Sequence, residues 1–212
     1  MMRKIERENT GLLHAGQDLV VAGYAGLAGT VKLAEAKEEE LSRWFSNGYM
    51  EEIAGCSRYL LREENGFWRD CGAAEWEPAG EGGILTAIWN LTGAYETGVE
   101  FYLRQIPIRQ ETVEVCERLE LNPYRLYSQG CVLLTADNGG QLVRALAAKN
   151  IPAQVMGRVN KGIAREMIVQ EGRGFLERPQ PDEITKVIPG FFNYPPGFPI
   201  DLHKLYKEAI KK

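Results

Sequence analysis

The chain has 212 residues, of which 44% are apolar and 25% are charged, and its net charge is −4. This length and composition are typical of one globular domain with short appendages. The negative charge gives no broad attraction to nucleic acid or to an anionic membrane, and no apolar run approaches the roughly 20 residues of a membrane span. Because the charged N-terminus is not followed by a signal-peptide core, we expect a cytoplasmic protein without nucleic-acid or membrane partners.

The first 16 residues are polar and are expected to form an N-terminal arm. A buried strand is predicted over 18–24, and Gly26-Leu27-Ala28-Gly29-Thr30 opens a helix that continues to about residue 45. A second helix is predicted over 48–62. A turn at 63–66 and a strand over 69–77 follow.

A glycine-rich turn, Gly80-Glu81-Gly82-Gly83, connects that strand to a helix predicted over 83–96. Glycine lets the backbone approach another backbone or a ligand, and the first N–H groups of a helix favour an anion such as phosphate. Two interpretations fit this pattern. The turn either faces a phosphate or nucleotide, or is a tight connection whose glycines only permit close packing.

Strands and helices continue to alternate after the turn. Strands are predicted over 99–103, 128–136, 151–159 and 166–169, helices over 110–119 and 139–147, and a turn at 171–174. Helix 110–119 is expected to place Val113, Cys116 and Leu119 on one face. This order favours a sheet with helices packed on it, in an α+β or α/β arrangement.

Proline and aromatic residues dominate the segment 188–199, which precedes a short amphipathic helix. This composition suits an extended segment better than a helix or a central strand. The tail over 188–212 either packs on its own domain or a twin subunit, or docks a partner.

The four cysteines and two histidines restrict the possible chemistry. The cysteines form no C-x-x-C pair, which argues against a zinc knuckle or a dithiol redox motif, so we expect reduced, half-buried thiols. The histidines, His14 and His203, lie near the two ends, which argues against a Ser-His-Asp triad or a histidine-built metal site.

Three carboxylates surround the glycine-rich turn: Glu75, Glu77 and Glu81. Strand alternation places Glu75 and Glu77 on one face, where they could bind Mg²⁺ or act as acid and base. They would also repel a phosphate at the helix start, so solvated or interface carboxylates are the alternative. In the same way, Arg104, Arg109 and Arg125 could recognise phosphate or form structural ion pairs.

Several blocks together resemble the C-terminal half of the aminoimidazole ribonucleotide (AIR) synthetase superfamily, nearest its hydrogenase-maturation-like "AIR synthase-related" branch. In chain order they are Gln17-Asp18-Leu19-Val20-Val21, Gly26-x-x-Gly29-Thr30, Gly80-Glu81-Gly82-Gly83, Gln105–Thr112, Asn122-Pro123-Tyr124, Ser128-x-Gly130 and Ile151–Gly157. The resemblance covers about residues 17–187. It implies an α+β domain, a mixed β-sheet with helices packed on it.

The resemblance also implies a ligand-facing region. In relatives, the glycine-rich loop of the C-terminal half faces an interdomain cleft, and the N-terminal half carries most of the ATP and magnesium machinery and forms the dimer core. The residues of this chain that would bind an anion or nucleotide are then Gly26, Gly29, Thr30, Gly80, Glu81, Gly82, Gly83, Ser128 and Gly130. For Ser128, a hydroxyl that only stabilises a turn is the alternative.

Two departures from the family's pattern shape the expected function. Only about 16 residues precede the first strand, fewer than a nucleotide-binding half requires. Relatives also carry His-Asp and then a threonine before the paired glycines, where this chain has Glu77, Pro78 and Gly80. The resemblance therefore does not assign a catalytic role to any residue of this chain.

We expect a stand-alone domain that is not catalytic by itself and acts as a binding or assembly protein, as a homodimer. ATP and Mg²⁺ would be used only together with a partner domain. The alternative is a subunit of a split ATP-dependent synthetase or hydrogenase-maturation-like enzyme, completed by a separate N-terminal-half protein. A ligand sensor that uses the old cleft is a third possibility.

Overall fold

A seven-stranded mixed sheet organises residues 12–193, the part of the chain that the computed structural model describes. The strands are β1 Asp18–Ala22, β2 Glu75–Pro78, β3 Gly98–Tyr102, β4 Val132–Ala136, β5 Ala153–Asn160, β6 Arg165–Val169 and β7 Gly172–Phe175. Their order across the sheet is β2-β4-β1-β5-β3-β6-β7, and only β3 and β6 pair in parallel.

Helices pack on this sheet and on one another. They are α1 Leu27–Ala36, α2 Glu38–Leu41, α3 Asn47–Gly55, α4 Asn65–Asp70, α5 Gly83–Ala94, α6 Gln110–Arg118, α7 Gly139–Ala147 and α8 Ile184–Val187. The predicted α+β class, a mixed sheet with helices packed on it, is confirmed. Between residues 12 and 193, no helix has the length and apolarity that crossing a membrane requires.

The sheet separates two apolar clusters, because alternate residues of a strand point to opposite faces. Leu19 and Val21 of β1 pack in one cluster with the apolar side of α5. Val20 and Ala22 pack in the other, together with Trp68 of α4 and residues of α7. Since β1 is central and buried on both faces, it forms the middle of the core.

A third apolar cluster lies among helices α1, α3 and α6. The chain returns to this cluster after β7, where Ile184, Ile188 and Phe191 are buried. The predicted arm up to residue 11 and the predicted tail from residue 194 lie outside the described residues. Because Ile188 and Phe191 are buried in this cluster, the part of the tail up to residue 193 contacts its own domain.

Some local predictions were wrong. Helix α4 occupies the end of the turn predicted at 63–66 and the start of the strand predicted over 69–77, and the strand itself begins at Glu75. Helical spacing buries both Trp68 and Cys71 against the sheet. The predicted helix from 26 to 45 is interrupted at Lys37 between α1 and α2.

Two further differences concern the second half of the chain. The predicted turn at 171–174 is edge strand β7, since the turn itself lies at 170–171. On α6, Val113 is 46% exposed and the buried residues are Glu111, Thr112, Val115 and Cys116.

Candidate functional site

Two glycine turns lie at the same end of the sheet. Ala22 at the end of β1 pairs with Val132 and with Ala153, and Pro78 at the end of β2 also pairs with Val132. From this end, β1 continues through the first turn into α1, and β2 continues through the second turn into α5. The sheet therefore places the two predicted glycine segments side by side.

Both turns end in a left-handed glycine immediately before the helix. Gly26 precedes α1 with φ 73°, and Gly82 precedes α5 with φ 77°. A residue with a Cβ adopts this conformation only with strain, so glycine is the natural choice at both positions. The glycine spacing in the sequence reflects this shared backbone geometry.

Ser128 links the two turns. Its Oγ accepts a hydrogen bond from the Gly26 N–H (2.8 Å) and donates one to the Leu126 carbonyl (2.7 Å). Its own N–H donates to the Gly80 carbonyl (3.1 Å). Since Ser128 is fully buried, its hydroxyl is committed to holding the backbone in place.

The other predicted residues of the first turn are also inside the protein. The Thr30 hydroxyl is hydrogen bonded to the Gly26 carbonyl and to Thr112 Oγ1, each 2.9 Å away. Gly29 is buried and packs against the Leu126 side chain. The structure therefore brings the predicted residues together, but around internal contacts.

The second turn carries an internal anion, the carboxylate of Asp182. Its Oδ2 accepts from the Gly82 N–H (2.7 Å), and its Oδ1 accepts from the N–H groups of Tyr127 (3.1 Å) and Ile184 (2.9 Å). Asp182 is only 1% exposed. An added anion could bond the Gly82 N–H only by displacing this carboxylate.

Burial dominates the electrostatics of Asp182. Removal from water raises its pKa to about 6, while its three backbone N–H partners act in the opposite direction, and the charge of Glu81 adds a smaller upward contribution. A carboxylate at this place also interacts favourably with the dipole of α5. The Gly82 N–H at the start of α5 thus has an acceptor without an external ligand.

Only part of the second turn reaches the surface. Gly82 and Gly83 are buried, Gly80 is half-buried and Glu81 is exposed. A Cβ on Gly83 would lie 2.4 Å from the Tyr124 carbonyl oxygen, so this glycine permits a close backbone approach. Gly130, at the far end of the linking segment, likewise packs on Leu60. A ligand-binding role for the nine predicted residues stays a prediction.

The sequence of this region matches a known family. Residues 78–170, which include the second turn and Ser128, match the model of the AIR synthase related protein, C-terminal domain. The resemblance to the AIR synthase-related superfamily is confirmed. No curated protein sequence matches the chain significantly.

Solved structures with the same fold include AIR synthase-related relatives. E. coli HypE, a hydrogenase maturation protein, aligns with a TM-score of 0.60 and 19% identity over 82% of this chain and 52% of its own. Thiamine-monophosphate kinase from Stenotrophomonas maltophilia K279a aligns with a TM-score of 0.56 and 17% identity over 73% and 50%. The chain therefore spans about half the length of these structures, and the likeness is one of fold.

A HypE–HypF complex has also been solved, and it aligns with a TM-score of 0.57 and 16% identity over 79% of this chain and 54% of that chain.

The predicted carboxylates beside the second turn do not converge on one site. Glu75 is 3% exposed, and its oxygens accept from the Trp76 N–H (3.0 Å) and the Tyr95 hydroxyl. Glu77 is half-buried, and Glu81 is exposed on the turn. Among residues 12–193, no three His, Cys, Asp or Glu side chains are grouped to hold a metal ion.

All three predicted arginines have partners within the chain, and two of these contacts are ion pairs, as the alternative to phosphate recognition expects. Arg109 forms two hydrogen bonds with Glu111 (2.7 and 3.0 Å), which raise the pKa of Arg109 and lower that of Glu111. Arg125 pairs with Glu177 (3.1 Å). Arg104 is hydrogen bonded to Gln170.

The cysteines are free, as predicted, but they are buried and not half-buried. Burial raises the pKa of Cys116 and of Cys131 to about 12, and it also raises the pKa values of Cys56 and Cys71. Because the thiolate is the nucleophilic form, none of these thiols is activated for reaction near neutral pH.

Sequence reasoning missed Asp182, the residue that completes the second turn. The signal was present in Pro181-Asp182-Glu183-Ile184, since an aspartate before a short apolar helix is typical of a residue that accepts backbone N–H bonds there. What local sequence does not contain is the contact with Gly82, which lies 100 positions earlier.

Proposed function

We propose that this chain is a C-terminal-type AIR synthase-related domain that acts as a binding or assembly module and is not catalytic by itself. The observation that carries the proposal is the bond between Asp182 and the Gly82 N–H (2.7 Å). The helix start that would receive a phosphate already holds a buried carboxylate. An external anion is left with the surface part of the turn, Gly80 and Glu81, as a residual anion-facing edge.

The chemistry around the turns supports the same proposal. The Ser128 hydroxyl uses both its hydrogen and an oxygen lone pair in buried backbone bonds. Cys131, three residues further on, has a pKa raised to about 12 by burial. Neither group has the activated form that a nucleophile requires.

Isothermal titration calorimetry of the purified chain tests this proposal. ATP, ADP and AMP are titrated with and without Mg²⁺. We expect no tight binding that depends on Mg²⁺, because ATP and Mg²⁺ would require a second domain. Tight, Mg²⁺-dependent ATP binding by this chain alone would overturn the proposal.

A second candidate is a subunit of a split ATP-dependent enzyme, in which a protein resembling the N-terminal half completes the cleft. The extent of the structural alignment favours it, since this chain aligns with 52% of the length of E. coli HypE. The solved HypE–HypF complex supports partner dependence. Affinity purification from the native host should then recover an N-half protein, and mixing the two should produce ATP hydrolysis that neither shows alone.

Self-association and location complete the proposal. We propose a cytoplasmic homodimer. Because the N-terminal half forms the dimer core in relatives, the contact between two copies of this chain would use a surface of the C-terminal-type domain. Light scattering after gel filtration should give the mass of two chains. A monomer that dimerises only with an N-half protein would favour the split enzyme.

A further inference from the structure

A cavity of about 510 Å³ lies near the end of the sheet from which the two glycine turns leave. Its walls are the segments 57–63 and 149–152. Both segments are tied to the same end of the sheet, because the Leu61 N–H donates to the Gly130 carbonyl (3.1 Å) and the Pro152 carbonyl accepts from the Gly23 N–H (2.8 Å). The cavity walls are therefore hydrogen bonded to the backbone directly after β1 and directly before β4.

The cavity walls are positively charged, although the chain as a whole has a net charge of −4. Arg58, Arg62 and Lys149 line it, together with one carboxylate, Glu63. Glu63 accepts a hydrogen bond from the Arg62 backbone N–H (2.8 Å), so this carboxylate already has a local partner. Within residues 12–193, none of the three cations forms an ion pair.

One of these cations is held in a defined position by Tyr59. The Arg58 guanidinium lies 4.6 Å from the centre of the Tyr59 ring and donates to its hydroxyl (3.0 Å). The ring itself is fixed by Arg109, whose guanidinium lies 4.3 Å from its centre and is bonded to Glu111. A pre-positioned guanidinium loses less conformational freedom when it binds an anion.

We propose that this cavity binds the phosphate monoester group of a small metabolite of sugar-phosphate or nucleotide size. Three cations against one carboxylate leave an excess of two positive charges, which matches a phosphate dianion. Arginine offers paired N–H donors for phosphate oxygens, and lysine adds a compact charge. The volume is in the range of pockets that hold small molecules, about 300–1,000 Å³, and exceeds what a bare ion needs.

This inference goes beyond the proposed function, because it places a ligand outside the glycine turns and requires neither Mg²⁺ nor a second domain. Calorimetry with AMP and ribose 5-phosphate in EDTA tests it, with adenosine and ribose as uncharged counterparts. We expect the two phosphate esters to bind and their counterparts not to bind. Added salt should weaken the binding, because the contact is electrostatic.

Substitutions at the cavity give the sharper test. The double variant Arg62→Gln/Lys149→Gln should weaken phosphate-ester binding by about tenfold or more, the equivalent of about 1.4 kcal/mol. Lys161→Gln is the matched control, since it removes an exposed cation that lies outside the cavity lining. Glu63→Gln should tighten binding about threefold, because it removes the opposing charge and keeps an oxygen to accept from Arg62.

Equal binding by the double variant and the native chain would overturn this inference, as would no binding of either ester at millimolar concentration. The substituted residues are exposed, so thermal melts should confirm that the variants fold. The outcome is separable from that of the proposed function. Mg²⁺-dependent ATP binding that the double variant retains would contradict the proposed function only, whereas Mg²⁺-independent ester binding that it loses supports the cavity alone.

Discussion

Both glycine turns place a left-handed glycine directly before a helix, but the N–H of that glycine is bonded to a different acceptor in each turn. Before α1, the N–H of left-handed Gly26 is bonded to a neutral hydroxyl, that of Ser128. Before α5, the N–H of left-handed Gly82 is bonded to the carboxylate of Asp182. The first partner serves one N–H group and the second serves three. We infer that the α5 turn depends more strongly on its partner.

The difference also concerns which part of the chain completes each turn. Ser128 comes from the segment directly before β4, inside the sheet framework. Asp182 comes from the segment after the last strand, and is followed by α8, whose Ile184 is buried among α1, α3 and α6. The α5 turn is therefore complete only when this late segment has docked on the domain.

Removal of the Asp182 carboxylate should give the largest effect. Asp182→Ala leaves three N–H groups without an acceptor, two of them buried and that of Tyr127 part-buried, and each loss at a buried group costs about 1–3 kcal/mol. We expect a loss of about 4 kcal/mol in the free energy of unfolding, measured by urea denaturation. Asp70→Ala, an exposed aspartate at the end of α4, is the control and should change stability little.

Asp182→Asn should remove one of the three hydrogen bonds of Asp182 and keep the other two. Its carbonyl oxygen can keep the two bonds that Oδ1 accepts, while its amide group cannot accept from Gly82. The cost should therefore be about half that of Asp182→Ala. Equal costs for the two variants would mean that the Gly82 bond dominates, and no cost for either would remove the difference between the turns.

Gly83→Ala should have the next largest effect. We expect it to lower the free energy of unfolding by about 3 kcal/mol, through the strain of a left-handed alanine and through overpacking. Its φ is 69°, and the added Cβ would meet the Tyr124 carbonyl oxygen at 2.4 Å. Because that neighbour is backbone, it has no rotamer to change. Gly80→Ala is the matched control, since no atom outside its immediate chain neighbours lies within 4 Å of its Cβ position.

Comparison of these two variants by thermal melts tests the close-packing interpretation of the turn. A stable Gly83→Ala variant that had lost a ligand would instead favour a turn that faces a cleft. A destabilised Gly80→Ala variant would contradict the open surroundings of that position.

The two turns should also differ in pH dependence. Burial raises the Asp182 pKa to about 6, so between about pH 4 and 6 the folded chain binds a proton that the unfolded chain does not. The free energy of unfolding should then fall by about 2 kcal/mol as pH rises through this window. Subtracting the curve of Asp182→Asn isolates the contribution, and the opposite slope would mean that the three N–H bonds outweigh burial.

The fold was largely predictable because its signals are local or spread along the chain. Strand β1 is a continuous apolar run, and α5 follows its glycines with regular apolar spacing. Prediction failed where tertiary contacts decided the outcome. Segment 65–70 became a helix because Trp68 and Cys71 are both buried against the sheet, a contact that the local pattern does not encode.

The candidate site was predictable only in part, for the same reason. The glycine spacing located both turns, and the position of Ser128 was found through the family resemblance. Whether the N–H groups of a turn face solvent or a buried carboxylate depends on a residue about a hundred positions away. The cavity cations come from two segments, 57–63 and 149–152, that are far apart in sequence.

The smallest of these effects is expected at the first turn. Ser128→Ala leaves the Gly26 N–H without its acceptor, at a cost of about 1–2 kcal/mol. Ser42→Ala, at an exposed serine, is the control. Hydrogen exchange then gives the decisive comparison, because Ser128→Ala should reduce protection at the Gly26 amide and leave Gly82 protected, while Asp182→Asn should do the reverse. If either variant exposed both amides together, the two turns would be one cooperative unit joined through residues 126–128, and their separate partners would not give them separate stabilities.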